Sequence, residues 1–326
     1  MKKYLFITIS AALALTACTN ETTEYVGDTQ AREIAFAPLA QKATRAAVNG
    51  TTFPTDMTMT VAAYDVTNSR DYFDATTFSY NTSSWKGNKY WPLSPTTINF
   101  LAYAELNGTS ATWGTTNKAS GVTLTMTDNS TSQKDLMYAR GTGSVTQSGN
   151  TLNFPGNVSM EFKHAQALIY FTVQAASGSE DLIQLKSITV NNAGYQGTYT
   201  INHVNYSQAT GQEVYGVWTD YDVAHTPVNV PAETTLTPHI SNFPHTVTTT
   251  QTNVGGLMVV PNRSFDNFTI TYTLDSKDYT YIYTPDSRTL EQGKKYTYNI
   301  TFTLHEILIN PTVTDWTSGG GSINIG

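Results

Sequence analysis

Cys18 is the residue of this sequence with the clearest chemistry. It is the only cysteine, and it directly follows Leu15, Thr16 and Ala17 behind a basic start and a short apolar stretch. This arrangement is typical of a lipoprotein signal, in which the thiol is alkylated by a diacylglycerol and then becomes the new N-terminus. We therefore predict a signal peptide over residues 1–17 and lipid attachment at Cys18. The alternative is an ordinary secretory signal in which the cysteine is incidental.

The histidines do not form a metal-ligand pattern. No two of them have the spacing of a zinc site, and none belongs to a Glu-x-x-His arrangement. We therefore predict no metal site. In the segment FKHAQ we expect a strand histidine whose ring is satisfied by the backbone. The six histidines are His164, His203, His225, His239, His245 and His305.

Other reactive groups also lack the context that catalysis requires. Gly141-Thr142-Gly143 has neither the lysine nor the helix of a phosphate loop, so we expect a hairpin turn there. The serines have no nucleophile-elbow motif. A glycosidase needs two carboxylates that face each other, and the sequence cannot show such a pair. We predict no catalytic residue, no cofactor and no enzyme activity. The carboxylates considered lie among turn residues and are Asp220, Asp222, Asp275 and Asp278.

Three alternating tyrosines, Tyr279, Tyr281 and Tyr283, allow two interpretations. An exposed row of aromatic rings could stack on sugars, whereas a buried row is one face of a core. Because alternating tyrosine is common in strands of β-sandwiches, we expect the core.

Composition favours strands over helices. The chain has 326 residues, of which 20 are tyrosine and only 13% are charged. Half-buried pleated surfaces favour tyrosine and threonine. The net charge of −7, without basic clusters, argues against a nucleic-acid partner. Beyond the signal, no apolar stretch reaches the length of a membrane span.

Periodicity of two recurs along the chain, most clearly in YTYNITFTL, which places Tyr296, Tyr298, Ile300, Phe302 and Leu304 on one face. We predict many short antiparallel strands in β-sandwiches. The length allows two domains, and the polar gap AASGSED at residues 175–181 is the expected boundary. The other strand candidates are EIAFAPL, TMTVAAYD, INFLAYAEL, GVTLTMT, EFKHAQALIYFTV, KSITVNN, GTYTI, EVYGVW, GGLMVVP, FTITYTL, YTYIYT and ILINPTV.

Taken in order, several segments resemble the fimbrillin family, which comprises type V pilus subunits and related surface lipoproteins of Gram-negative gut and oral bacteria. The resemblance covers nearly the whole chain. The matching features are the lipobox, Ala43-Thr44-Arg45-Ala46, Tyr90-Trp91-Pro92, Asp135-Leu136-Met137-Tyr138-Ala139, Phe162-Lys163-His164-Ala165 and the ending GKKYTYNITFTLHEILINPTVTDW.

The resemblance implies two tandem transthyretin-like antiparallel β-sandwich domains and polymerisation by strand exchange. The family is cleaved after an arginine, and the matching position here is Arg45, followed by Ala46. Cleavage there would release EIAFAPL, with Ile34 and Phe36 as inward side chains, together with the lipid. Cleavage at Arg32 would instead leave this strand in place. The expected layout is a signal over 1–17, a lipid tether and propeptide with the first strand over 18–45, and sandwiches over 46–178 and 179–326.

The C-terminal end is the candidate donor strand. Ile307, Ile309 and Val313 alternate on one face, and Trp316 follows them. Pro311 lacks an N–H and therefore suits an edge strand. The alternative is that this segment is the last strand of its own domain. The tail SINIG is too short to fill a groove alone.

The sequence therefore predicts a non-enzymatic fimbrial subunit or fimbria-like adhesin at the outer membrane and cell surface. Its expected partners are other pilus subunits, a host or bacterial surface glycan or protein, and, before cleavage, the membrane through the lipid. The alternative function is a monomeric outer-membrane lipoprotein that binds glycans.

Overall fold

The computed structural model describes residues 32–40, 53, 55, 57–105, 112–113, 122–126, 136–180, 182–194, 197–201, 216–219, 228–229 and 243–316. Every regular element in these ranges is a β-strand, which confirms the all-β prediction. Within these ranges, no helix is long and apolar enough to cross a membrane.

Twenty-one strands follow one another within these ranges. The first ten are β1 (Glu33–Ala40), β2 (Thr58–Asp65), β3 (Arg70–Asn81), β4 (Ser84–Tyr90), β5 (Thr96–Glu105), β6 (Thr112–Trp113), β7 (Val122–Met126), β8 (Leu136–Ser148), β9 (Thr151–Asn153) and β10 (Val158–His164). The others are β11 (Ala167–Ala175), β12 (Ile183–Asn191), β13 (Gly197–Ile201), β14 (Gly216–Thr219), β15 (Val228–Asn229), β16 (His245–Thr246), β17 (Thr252–Val259), β18 (Asn267–Leu274), β19 (Lys277–Tyr283), β20 (Lys294–Phe302) and β21 (Ile307–Asp315).

The N-terminal half is a sheet that closes on itself. Its strand order is β10-β1-β4-β3-β2-β5-β8-β9, and β10 also pairs with β8. Aromatic side chains fill the interior: the ring of Phe36 contacts those of Phe78 and Phe100 edge-on, at 4.9 and 5.0 Å between centroids. Such edge-to-face pairs are a favoured aromatic geometry. The first strand is therefore an internal member of this closed sheet.

The C-terminal half consists of two sheets that pack face to face. One has the order β17-β11-β20-β21 and the other β15-β12-β18-β19, with β16 also on β12. Phe268 of the second sheet lies edge-on to Phe171 and Tyr298 of the first, at 5.0 and 4.6 Å. This interior is separate from the N-terminal one: the first core ends at Phe162 in sequence and the second begins at Ala167. The domain bounds 46–178 and 179–326 themselves stay a prediction.

The predicted strand YTYNITFTL is confirmed over β20, with one correction at its end. Tyr296, Tyr298, Ile300 and Phe302 are buried, as the alternation predicts. Leu304 was expected on the same face but is 47% exposed. The strand stops at Phe302 because the hydroxyl of Thr303 accepts hydrogen bonds from two backbone N–H groups of the turn that follows.

The segment EFKHAQALIYFTV was expected to be one strand, and this expectation is wrong. It forms β10 and β11, separated at Ala165 and Gln166, and the two strands lie in different sheets. Gln166 fixes the crossing: its side-chain oxygen accepts from the N–H of Leu136 and its carbonyl from the N–H of Gly293. A run of apolar residues cannot reveal such a break, because both strands are buried.

A small fourth sheet joins the two halves. Its order is β14-β13-β7-β6, so each half supplies two strands. Beneath it, the side-chain amide of Gln292 donates to the hydroxyls of Tyr138 and Tyr199, both at 2.8 Å. The indole N–H of Trp218 donates to the carbonyl of Ala165 at 2.6 Å. Burial raises the pKa of the Tyr199 hydroxyl well above its ordinary value. These buried contacts fix the junction between the halves.

Gly141 and Gly143 do not form the expected hairpin turn. Both lie within β8, where a larger residue has no room. A Cβ atom on Gly143 would overlap the indole of Trp91, and one on Gly141 would lie 2.6 Å from the sulfur of Met160. The glycines are present because other parts of the core approach the strand closely.

Gly143→Ala should therefore lower the free energy of unfolding by about 1–3 kcal/mol, since the Trp91 ring would have to move. Gly156→Ala is the matched control, because a Cβ there meets nothing within 4 Å; it should change stability by less than about 0.5 kcal/mol. Urea unfolding followed by circular dichroism measures both. Equal stability of the two variants would contradict the packing described here.

Candidate strand-exchange site

The first strand is held along both of its backbone edges. It runs parallel to β10, with pairing from Phe36 opposite Val158 to Ala40 opposite Phe162. Along its other edge it is antiparallel to β4, where Ala35 lies opposite Lys86. Strand β1 therefore completes the ladder between β4 and β10.

The inward side chains of β1 form part of the N-terminal core. Ile34 and Phe36 are both fully buried. Burial of an aliphatic or aromatic side chain is worth about 1.5–3 kcal/mol, so the two contribute about 3–6 kcal/mol. Both side chains thus face the core, whereas the displacement of this strand stays a proposal.

Polar contacts at the start of β1 are confined to the surface. The Nζ of Lys86 lies 3.3 Å from Glu33, whose carboxylate also accepts from the N–H of Asn88. The backbone carbonyl of the exposed Arg32 accepts a hydrogen bond from the backbone N–H of Trp91. Surface ion pairs are typically worth less than about 1 kcal/mol. Core burial and the two ladders therefore hold the strand.

Loss of β1 would leave a slot for one strand. Neighbouring strands lie about 4.8 Å apart, so β4 and β10 would be separated by about 10 Å, with unpaired N–H and C=O groups on both sides. The floor of this slot would be Phe78 and Phe100, together with the buried side chains of Val158, Met160 and Phe162. An extended segment with alternating apolar residues fits such a slot.

The predicted processing residues, Arg45 and Ala46, lie outside the described residues, as does Cys18. The structure describes residues on both sides of them. Phe53, which follows this segment, is buried against Trp85 and Phe162, with ring centroids at 5.6 and 4.5 Å. A cut after Arg45 would therefore separate β1 from Phe53, which remains in the core.

The C-terminal donor candidate lies in its own sheet. Strand β21 pairs with β20 along its whole length, from Ile307 opposite Phe302 to Asp315 opposite Lys294. Ile307 is buried, but Val313 is 56% exposed, so the predicted apolar face is covered at one end only. Pro311 has no N–H to donate. It is compatible with β21 because this strand is the last one in the described order of its sheet.

Sequence reasoning missed the contact that fixes the end of β21. Trp316 is buried and its indole stacks on the imidazole of His164, with centroids 3.9 Å apart and planes 3° from parallel. The N–H of Trp316 donates to the carbonyl of Gly293, and Lys294 forms an ion pair with Asp315 at 2.5 Å. His164 lies in the segment FKHAQ and Trp316 follows the last strand candidate, but nothing in the sequence relates the two residues in space.

The tyrosine row of β19 is mostly core. Tyr281 and Tyr283 pack against the C-terminal core, which confirms the expectation for them. Tyr279 is 42% exposed and stacks on Tyr272 at 5.6 Å. Burial raises the pKa of Tyr272.

The acidic residues and histidines within the described ranges do not group as metal ligands: no cluster of three such side chains occurs there. Asp275 occupies the turn between β18 and β19 with a positive φ, and Asp278 forms an ion pair with Lys186 at 2.6 Å. The other two carboxylates considered, Asp220 and Asp222, lie outside the described residues, as do His203, His225 and His239.

The sequence matches a family model described as fimbrillin-like over residues 44–316. No curated protein gives a significant match. A fimbrial protein of Bacteroides vulgatus has a similar structure, with a TM-score of 0.54 and 15% identity over 87% of this chain and 99% of that one. A candidate cell adhesion protein of Bacteroides uniformis has a TM-score of 0.53 and 17% identity over the same shares. At these identities the structural likeness shows the fold alone.

Phe36→Ala should lower the free energy of unfolding of the intact chain by about 3–5 kcal/mol, because it leaves a cavity among packed rings. Glu33→Ala, on the same strand, removes only the surface contacts to Lys86 and Asn88 and should cost less than about 1 kcal/mol. Urea unfolding of the two variants beside the parent protein measures the difference. If both losses were equal, burial would not be what holds β1.

Proposed function

The chain belongs to the fimbrillin-like family, and on that premise we propose that it is a non-enzymatic subunit of a fimbria or a fimbria-like adhesin, assembled by strand exchange. One observation carries the proposal: β1 fills a position between β4 and β10, covers the core with Ile34 and Phe36, and precedes the segment that contains Arg45. Because β1 precedes the other strands of the closed sheet in the sequence, one cut between β1 and β2 would separate it from them.

The proposed route begins with export and lipid attachment at Cys18, which holds the precursor at the outer membrane. Cleavage between Arg45 and Ala46 then frees β1 with its lipid. A strand of another subunit occupies the slot and restores both the ladder and the apolar cover. The C-terminal segment with Ile307, Ile309, Val313 and Trp316 is the proposed donor, so the partners are other subunits of the polymer at the cell surface.

Limited cleavage of the purified precursor by an arginine-specific protease tests this route. The parent protein should acquire a new N-terminus at Ala46 and form ladders that survive SDS without boiling, because a complemented strand dissociates very slowly. Arg45→Ala should stay monomeric under the same treatment. Arg32→Ala is the matched control: it removes an arginine on the other side of β1 and should still form ladders.

Two results would contradict strand exchange. One is a parent protein cut at Arg45 that loses β1 yet remains monomeric; the other is ladder formation by Arg45→Ala. A specific observation favours a second function in the first case, since Tyr279 and Tyr272 form a partly exposed aromatic stack. A monomer that binds polysaccharide through Tyr279 would be a glycan-binding lipoprotein.

A further inference from the structure

Strand β19 has one backbone edge that no other strand of the described residues pairs with. It is the last strand in the order of its sheet, and β18 lies along its other edge, from Leu274 opposite Lys277 to Phe268 opposite Tyr283. The ladder between the two strands runs without a register shift. A regular outer strand of this kind presents a row of N–H and C=O groups with which a further strand can pair.

The other three outer strands of the C-terminal half, in the described sheet orders, each have a feature that discourages such pairing. Strand β15 has only two residues. Strand β21 contains Pro311, which has no N–H to donate. Strand β17 has a bulge at Val254, because its register with β11 shifts between Gly255 and Asn253. Short length, proline and bulges are means by which natural sheets keep their edges from joining other chains.

Strand β19 has seven residues, and its stretch 279–283 contains neither a charge nor a proline. Ile282, on the outer face, is 61% exposed, the highest value among the large apolar side chains of the described residues. The opposite face directs Tyr281 and Tyr283 into the core but leaves Tyr279 half exposed. Apolar surface therefore lies on both sides of the free backbone edge, which is the pattern of a strand that pairs with another chain.

The residue pattern of β19 is symmetric about Tyr281. Tyrosine stands two residues before it and two residues after it, at Tyr279 and Tyr283. In an antiparallel pair of two copies with Tyr281 on the two-fold axis, Tyr279 of one copy lies opposite Tyr283 of the other. All three tyrosines would then face tyrosines, and cross-strand aromatic pairs are favourable. Such self-complementarity is what a two-fold contact between identical chains requires.

The charges of β19 favour the same arrangement. Lys277 and Asp278 stand together at the start of the strand. In a parallel pair of two copies in register, each would lie opposite its own like charge, which is unfavourable. In the antiparallel pair they lie beyond Tyr283 of the second copy, at opposite ends of the shared ladder. Asp278 also keeps its ion pair with Lys186 on the outer face of its own sheet.

We propose that β19 joins two copies of this chain as an antiparallel strand pair across a two-fold axis at Tyr281. The contact lies in the C-terminal half and does not depend on cleavage or on the release of β1. It would therefore link subunits sideways, in addition to the head-to-tail contact of strand exchange. A contact between two edge strands is small and hence weak for free chains. Many such contacts between two fimbriae would act together, because each one raises the effective concentration of the next.

Sedimentation equilibrium of the Arg45→Ala chain in reducing buffer tests the pairing without cleavage and without a disulfide at Cys18. This chain should dimerise reversibly with rising concentration. Ile282→Lys in the same background should raise the dimer dissociation constant by about tenfold or more, because a lysine on an edge strand opposes pairing. Leu308→Lys is the matched control: Leu308 is similarly apolar and 45% exposed, but lies on β21 beside Pro311. It should change the dissociation constant by less than about twofold.

Photo-oxidative cross-linking of tyrosines identifies the strand that forms the contact. A mixture of heavy-nitrogen-labelled and unlabelled chains is cross-linked and digested with trypsin, which releases residues 278–288 as one peptide. This peptide should be found linked to a second copy of itself, with one labelled and one unlabelled half. Ile282→Lys should abolish the mixed product and Leu308→Lys should retain it. Tyr90, which is 50% exposed on β4, reports random collisions and should give no self-linked peptide.

The inference is overturned if the Arg45→Ala chain stays monomeric at every concentration, if both lysine variants weaken the dimer equally, or if the dimer forms without the self-linked peptide. Strand exchange is judged separately by the SDS ladders of cut protein, which Ile282→Lys should still form. Ladders without the dimer would refute edge pairing and leave strand exchange intact. The dimer without ladders would support edge pairing and refute assembly by strand exchange.

Discussion

The N-terminal half depends on one packing constraint: a closed sheet needs a strand between β4 and β10, and the ring of Phe36 must reach the centre of its core. Phe36 meets Phe78 and Phe100 edge-on, and Ile34 beside it is fully buried. Strands β10 and β4 each pair with one edge of β1. Neither of them can therefore take the place of β1. In the proposed exchange, the same geometry would let another extended segment with a similar apolar pattern take the place of β1.

The C-terminal half has its core between two sheets, and its last described strand lies at the edge of one of them. Its interior is lined by β11, β12, β17, β18 and β20. At its centre the ring of Phe268 lies edge-on to those of Phe171 and Tyr298. Strand β21 adds Ile307 to this core but leaves Val313 exposed. The junction at Gln166 and Gln292 keeps the two halves in fixed contact.

Local alternation made much of this fold predictable. The buried faces of β1 and β20 follow from period-two patterns in EIAFAPL and YTYNITF, because one-sided strands must alternate. Contacts between distant residues were not predictable. The local sequence predicts a turn at Gly143, whereas the residue is glycine because the ring of Trp91, distant in sequence, lies against it. The parallel pairing of β1 with β10 and the stack of His164 on Trp316 likewise depend on sheet order, which sequence periodicity does not encode. Cys18 and Arg45 lie outside the described residues, so lipid attachment and cleavage stay predictions from the sequence.

The most direct measurement of the central claim is to return the lost strand to its slot. Precursor cut after Arg45 is freed of β1 in mild denaturant and then mixed with a synthetic peptide of residues 33–40. The account predicts that one peptide binds per protein and restores the unfolding temperature of the uncut chain, whereas a peptide with Phe36→Asp does not bind. Equal binding of both peptides, or recovery of full stability by protein that is still monomeric and has bound no peptide, would contradict it.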